Sequence, residues 1–255
     1  MRVIRVIAAT TFREALRDRI LYLFLGFAIA LLASSKLFGI LTVGDQAKII
    51  KDMGLAGIQL FSMLIAVMMS VLLISREIDS RTVYYILAKP VRRWQFLLGK
   101  YAGLLAVVAV NLALMTAALV LFVWVYGGGV DARLLLATGM IGVEMAVLVA
   151  FATLFSVVTK PILGSVFTLA VFVVGHVSED LWLLTRHLPG SVGRALATGL
   201  YYVVPNLERF NFKTEAVHQL AIPAAAVGWA LLYGLGFTAL ALVLACLRFA
   251  RRDLQ

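Results

Sequence analysis

Apolar positions along the chain gather into six long runs, near residues 20–38, 55–75, 101–125, 134–158, 162–183 and 220–247, parted by shorter polar stretches. A helix of about 20 apolar residues crosses the hydrocarbon layer of a bilayer. The pattern therefore predicts six transmembrane helices, which would return both termini to one face. Ahead of the first run, Val3, Ile4, Ile7, Ala8, Thr11, Phe12, Ala15 and Leu16 recur at helical spacing, among Arg2, Arg5, Arg13, Arg17 and Arg19. That spacing predicts an interfacial amphipathic helix over residues 1–19. A signal peptide does not fit: acids intervene, the run after Arg19 is a full span, and no small-residue cleavage pattern follows.

The connections differ in kind. Residues 39–54 carry Gly44-Asp45-Gln46, with Asp45 as a helix cap, and then Ala47, Ile49, Ile50 and Met53 opposite Lys48, Lys51 and Asp52. They read as a short outer helix, or a loop, with its charged side wet. Lys160-Pro161 makes a very short turn into a helix that starts on proline, where the missing donor does no harm. Residues 184–219 hold apolar pieces too short to span, flanking Pro189-Gly190 and Pro205-Asn206, and predict re-entrant or interfacial segments. In the last run Gly228, Gly234 and Gly236 offer close helix contact, and Trp229 and Tyr233 read as packing residues.

Hydrophobic residues make up 63% of the sequence and charged residues 14%, with a mean hydropathy of +1.00, far from a soluble domain's apolar share of about 45–50%. The expected fold class is an all-α membrane protein, with residues 1–255 as one transmembrane domain. Of the Lys and Arg residues, fifteen fall on the side of the amino terminus and the 76–100 connection, and eight on the other side, along longer connections with seven acids. Cytoplasmic termini follow from that asymmetry. The net charge of +10 is thus an address at the membrane surface, and nucleic acid is not the expected partner. A single cysteine, Cys246, excludes an internal disulfide.

The most informative stretch is residues 76–100, REIDSRTVYYILAKPVRRWQFLLGK. Val83, Ile86 and Leu87 share one helical side beside Tyr84 and Tyr85, and Pro90 stops the helix near Ala88. A short helix with an apolar tip, held among cations, has a shape that another protein can grip. This string resembles the first cytoplasmic loop of ABC-2-type permeases, the membrane subunits of one class of ATP-binding-cassette exporters. The matching positions are Glu77, Arg81-Thr82, Ile86-Leu87, Pro90, Arg93, Leu97-Leu98 and Gly99-Lys100. Arg81 stands where the commoner pattern has Gly. With residues 44–55 and 205–211, this puts the likeness near an Arg-Thr variant described as linked to multi-copper enzyme maturation.

The resemblance implies an exporter permease acting as one of two copies or paralogues, embedded in lipid of a bacterial or archaeal cytoplasmic membrane. Its motor would be a separate ABC ATPase that carries ATP and Mg, since no G-x-x-x-x-G-K-[ST] occurs in the chain. It further implies that Glu77, Arg81 and Arg93 brace the loop, with Thr82 and Pro90 in the motif. Tyr84, Tyr85, Ile86 and Leu87 would touch the ATPase. Two short re-entrant helices would cap the outer mouth, and the first helix would help frame the dock.

One residue breaks the apolar pattern sharply. Glu144 stands near the middle of the fourth run, where a carboxylate costs about 2.5 kcal/mol or more on insertion scales and so should face protein or water. It reads either as a polar element of a translocation path or of proton coupling, or as a buried hydrogen bond, for instance to Asn111 or to a second copy. Gly139 and Gly142 beside it would let another helix come close. His176, His187 and His218 are too scattered for a metal site. Met63, Met68 and Met69 suit copper but are also ordinary filler between helices. Glu144 has nearly no polar company at its depth in the sequence, which argues against an intramembrane hydrolase. A non-transporting assembly scaffold and an intramembrane enzyme are the competing readings.

Overall fold

The computed structural model of the 255-residue chain describes residues 2–41, 46–79, 92–126, 129, 131–185, 199 and 203–251. Helices α1 (Arg2–Leu16), α2 (Arg19–Leu41), α3 (Gln46–Asp79), α4 (Arg93–Val125), α5 (Ala132–Val158) and α6 (Pro161–Thr185) come first. A single 3-10 turn (Glu208–Phe210), the short α7 (Lys213–His218) and α8 (Ala224–Ala250) complete the order. No strand occurs among the described residues. Among the described residues, five helices are long and apolar enough to cross a membrane, and α2, the predicted first span, adds a shorter apolar stretch at Leu21–Leu31. Trp124 (71% exposed), Ile162 (79%) and Trp229 (70%) lie uncovered on the outer faces of α4, α6 and α8. Water would penalise such surfaces and lipid would not. The chain is an integral membrane protein.

Helix α5 is the axis of the bundle, packed by α3, α4, α6, α7, α8 and the 3-10 turn, with α1 laid on α4 and α2 on α3. Its ends are set locally. Asp131 caps α5 by accepting from the Arg133 amide at 3.4 Å, and the Arg133 guanidinium returns to the same carboxylate at 3.0 Å. Thr159 leaves the helix in extended geometry, and α6 restarts at Pro161, as its fixed φ and missing donor allow.

Several sequence expectations are corrected. The connection before the second span is no separate short helix from Gln46 onward. Residues 46–79 form one helix of 34 residues, because no proline parts Gln46 from the apolar run and Gly54 alone does not end a helix. Lys51, expected on the wet side, is only 3% exposed, in line with the core residues Ile50 and Leu55. The predicted 76–100 loop is shorter at both ends, since α3 continues to Asp79 and α4 starts at Arg93. Helix α8 starts at Ala224, four residues later than its predicted span, because Gln219 turns left-handed (φ 56°) and Pro223 takes the N-cap. Gly139, Gly228 and Gly236 face open space among the described residues rather than a neighbouring helix. Trp229 points outward instead of packing within the chain.

Candidate functional site

At matched depth in the bundle, α3, α5 and α6 each contribute one polar side chain. Gln59 lies 13 residues into α3 and Glu144 lies 12 residues into α5, both counted from the Gln46/Asp131 end. At about 1.5 Å per residue those distances are nearly equal. His176 reaches the same level from α6, which runs the other way. The amide of Gln59 is the hub. Its Nε2 donates to Glu144 Oε1 (3.1 Å) and Oε2 (2.9 Å) and stands 2.8 Å from His176 Nε2. Its Oε1 accepts from Lys213 Nζ, which enters from α7.

The hydrogen-bond roles close consistently. His176 Nδ1 lies 3.0 Å from the Phe172 carbonyl, so the tautomer with its proton on Nδ1 donates there and leaves Nε2 to accept from Gln59. Gln59 then uses one N–H for His176 and the other for the Glu144 carboxylate. The direct approach of His176 Nε2 to Glu144 Oε1, 3.5 Å, is longer than either bond through the amide. Glu144 is fully buried and Gln59 is 6% exposed. A buried carboxylate needs such partners, because losing one leaves it uncompensated. The arrangement links Lys213 to Glu144 through a neutral amide, with His176 Nε2 3.5 Å from the same carboxyl group.

Lys213 arrives on a segment that the sequence marked only as re-entrant. Leu207, Phe210 and Ala216 on it are fully buried and Val217 nearly so. The Leu207 amide donates to the Gly175 carbonyl on α6 at 3.0 Å. A Cβ at Gly175 would stand 2.7 Å from both Leu207 Cγ and the Pro205 carbonyl, so only glycine admits this contact unchanged. On the α8 side, Phe210 fills the space above Gly234, and the Tyr233 hydroxyl accepts from the Asn206 amide at 2.8 Å. Arg209 covers the Tyr233 ring at 4.8 Å. Tyr233 is thus a packing residue, as expected.

The predicted partner of Glu144 is different. Asn111 turns its amide nitrogen to Met115 Sδ at 3.6 Å, and its buried Oδ1 has no hydrogen-bond partner among the described residues. Gln59 on the neighbouring α3 takes the place expected of Asn111. Glu144 also has polar company at its depth, contrary to the expectation from sequence. Gln59 could have been found as the one amide inside the second apolar run, and His176 as the first titratable residue of the fifth. Lys213 carried no such signal, lying in a connection that counted toward the outer charge.

The opposite, Asp79/Arg93 end holds the loop-flanking residues. Arg93 opens α4, and its guanidinium donates to the Phe249 and Ala250 carbonyls at 3.0 and 3.1 Å, capping the end of α8. Phe96 stacks on Phe249, with ring centroids 5.9 Å apart. Helix α1 seats its Ile7, Thr11 and Ala15 face on α4, where added Cβ atoms at Gly99 and Gly103 would meet Ile7 and Thr11 at 2.7 Å. The Ile7, Thr11 and Ala15 face, expected to lie on lipid, is thus covered by protein. Lys100, 2% exposed, pairs with Glu14 of α1 at 3.7 Å. Glu77 falls in the last turn of α3. Arg81, Thr82, Tyr84, Tyr85, Ile86, Leu87 and Pro90 lie outside the described residues. Among the described residues, no group of three or more His, Cys, Asp and Glu could hold a metal ion.

Against known families, residues 5–254 match the family model described as "ABC-2 family transporter protein". No curated protein matches the chain.

Proposed function

The chain belongs to the ABC-2 transporter family, and from that premise we propose that it is an exporter permease worked by a separate ABC ATPase. Membership itself makes it a permease subunit of an ABC transporter, with an ATP-binding subunit as partner. The observation that carries the reading is the family match over nearly the whole chain. In this reading α2 supplies a sixth span and the termini face the cytoplasm with residues 80–91. The chain works as one of a pair, homodimer or heterodimer, in a bacterial or archaeal cytoplasmic membrane. ATP and Mg bind the partner, not this chain.

Residues 83–88 are the grip. Tyr84, Tyr85, Ile86 and Leu87 meet the ATPase, while Glu77, Arg81 and Arg93 brace the loop around Thr82 and Pro90. Closure of the ATPases on nucleotide would push this segment and swing the bundle between inward-open and outward-open states. Arg93 supports that role, because it ties the start of α4 to the end of α8. A push at the loop would therefore reach two helices. The Arg81-Thr82 pair favours the variant group linked to multi-copper enzyme maturation.

The test is affinity purification of the chain from its native membrane with ATP hydrolysis as readout. An ABC ATPase should co-purify. Replacing Ile86 and Leu87 by Asp should abolish its recovery while the permease still inserts. Undiminished recovery with the double substitution would reject the assignment of the contact, and absence of any ATPase would reject the reading as a whole.

A further inference from the structure

We propose that Gln59 is a positioning residue for transport: it clasps the 203–218 segment to α3, so that displacement of α3 is passed on to that segment. The inference rests on the permease reading above and goes beyond it in naming the joint. Two kinds of contact hold the segment. Toward α5, α6 and α8 it is plugged by buried apolar groups, with Leu207 against Gly175 and Phe210 against Gly234, where there is no room to shift. Toward α3 it packs through α7 and adds the hydrogen bond from Lys213 to the Gln59 amide.

Those contacts respond differently to movement. Interdigitated apolar groups lose their packing outright when parted. A set of hydrogen bonds exchanges partners instead, and each member of this set has an alternative at hand. His176 Nε2 is 3.5 Å from Glu144 Oε1, and once the partly exposed imidazole takes up a proton from solvent the pair can close on itself when Gln59 leaves. Lys213 is half-buried and can turn outward. The Lys213–Gln59 link between α3 and the segment is therefore the part built to open and re-form.

Helix α3 is also the element that could pull on it. It runs unbroken from Gln59 to Asp79, about 30 Å at the helical rise, and from Asp79 the chain leads into the proposed ATPase contact. A push at that end moves Gln59 as part of one rigid rod. With the clasp intact, α3 carries Lys213 and its plug along; with it cut, α3 slides past an idle segment. Gln59 acts through Lys213 and Glu144, and touches no cargo in this account.

The experiment uses the complex of the chain with its co-purifying ABC ATPase, reconstituted in lipid nanodiscs, with ATP as the probe. Gln59→Leu and Lys213→Met should each raise kcat for ATP hydrolysis several-fold with KM for ATP unchanged, since hydrolysis no longer works against the segment. The double variant should match either single, because both cut one linkage. Lys213→Arg, which keeps a cationic donor, should restore the parent rate. Unchanged or lowered kcat in the singles, or independent effects in the double, overturns the proposal. Lys213 lies outside the apolar plug, so Lys213→Met against Lys213→Arg decides the matter even if Gln59→Leu fails to assemble. Failure of an ATPase to co-purify with the unaltered chain would instead count against the permease reading.

Discussion

Two regions bury charge in this bundle, and they do it in opposite ways. At the Asp79/Arg93 end, Arg93 and Lys100 sit at the start of α4, where helix ends supply free carbonyls and Glu14 is half in water. At mid-depth, Glu144 has no helix end and no water, and its partners come from α3, α6 and α7. The first region is forgiving, because solvent and backbone can replace a lost partner. The second is less forgiving: Glu144 and Gln59 are buried and satisfied through one another, His176 and Lys213, so removing one of the two leaves the other in the low dielectric.

The largest effect should follow from breaking the second set at its hub. Gln59→Leu removes the donor of Glu144 and the acceptor of Lys213 together and should cost about 3 kcal/mol. Thermal unfolding of the purified chain checks this. Glu144→Gln sharpens the comparison, since a neutral amide still accepts from Gln59 without a buried charge; its cost should be about 1 kcal/mol or less. Equal losses in the two variants would mean that the charge, not the hub, matters most.

Next in size, Gly103→Leu forces α1 off α4, where a Cβ already meets the Ala8 carbonyl and Thr11 at 2.7 Å. Overpacking of this kind costs about 1–3 kcal/mol, and protease sensitivity of residues 2–16 should rise with it. Arg93→Ala should cost about 1 kcal/mol, as other donors reach the exposed carbonyls. Faster hydrogen exchange confined to the last turn of α8 is the expected sign. The smallest effect belongs to Asn111→Leu. Its Oδ1 is buried without a partner among the described residues, so an apolar replacement should be neutral or stabilising in the same unfolding assay.

The sequence made the two regions unequally legible. Helix positions followed from apolar runs, and α1, α5 and α6 lie close to their predicted places because proline, Asp131 and charge mark their ends, whereas α4 starts eight residues before its apolar run. Continuity of α3 through residues 46–54 was hidden, since alternating Lys, Asp and Ile read equally well as a separate amphipathic piece. Glu144 was visible as an anomaly, but its company was not. Gln59, His176 and Lys213 are distant in sequence, and only the packing of α3, α6 and the 203–218 segment on α5 brings them to one level. The close contacts made by Gly175 and Gly234 were equally invisible, as one-dimensional pattern cannot tell a glycine under another backbone from one such as Gly228 in open space.

The proposed function makes this chain the passive half of a motor-driven transporter, gripped at residues 83–88. A photoreactive amino acid in place of Ile86, activated in native membranes, tests that contact most directly. The account predicts a covalent adduct between the chain and an ATP-binding subunit, with none formed from a control position at Trp124. Adducts with lipid or with the chain alone, and never with a nucleotide-binding protein, would contradict it.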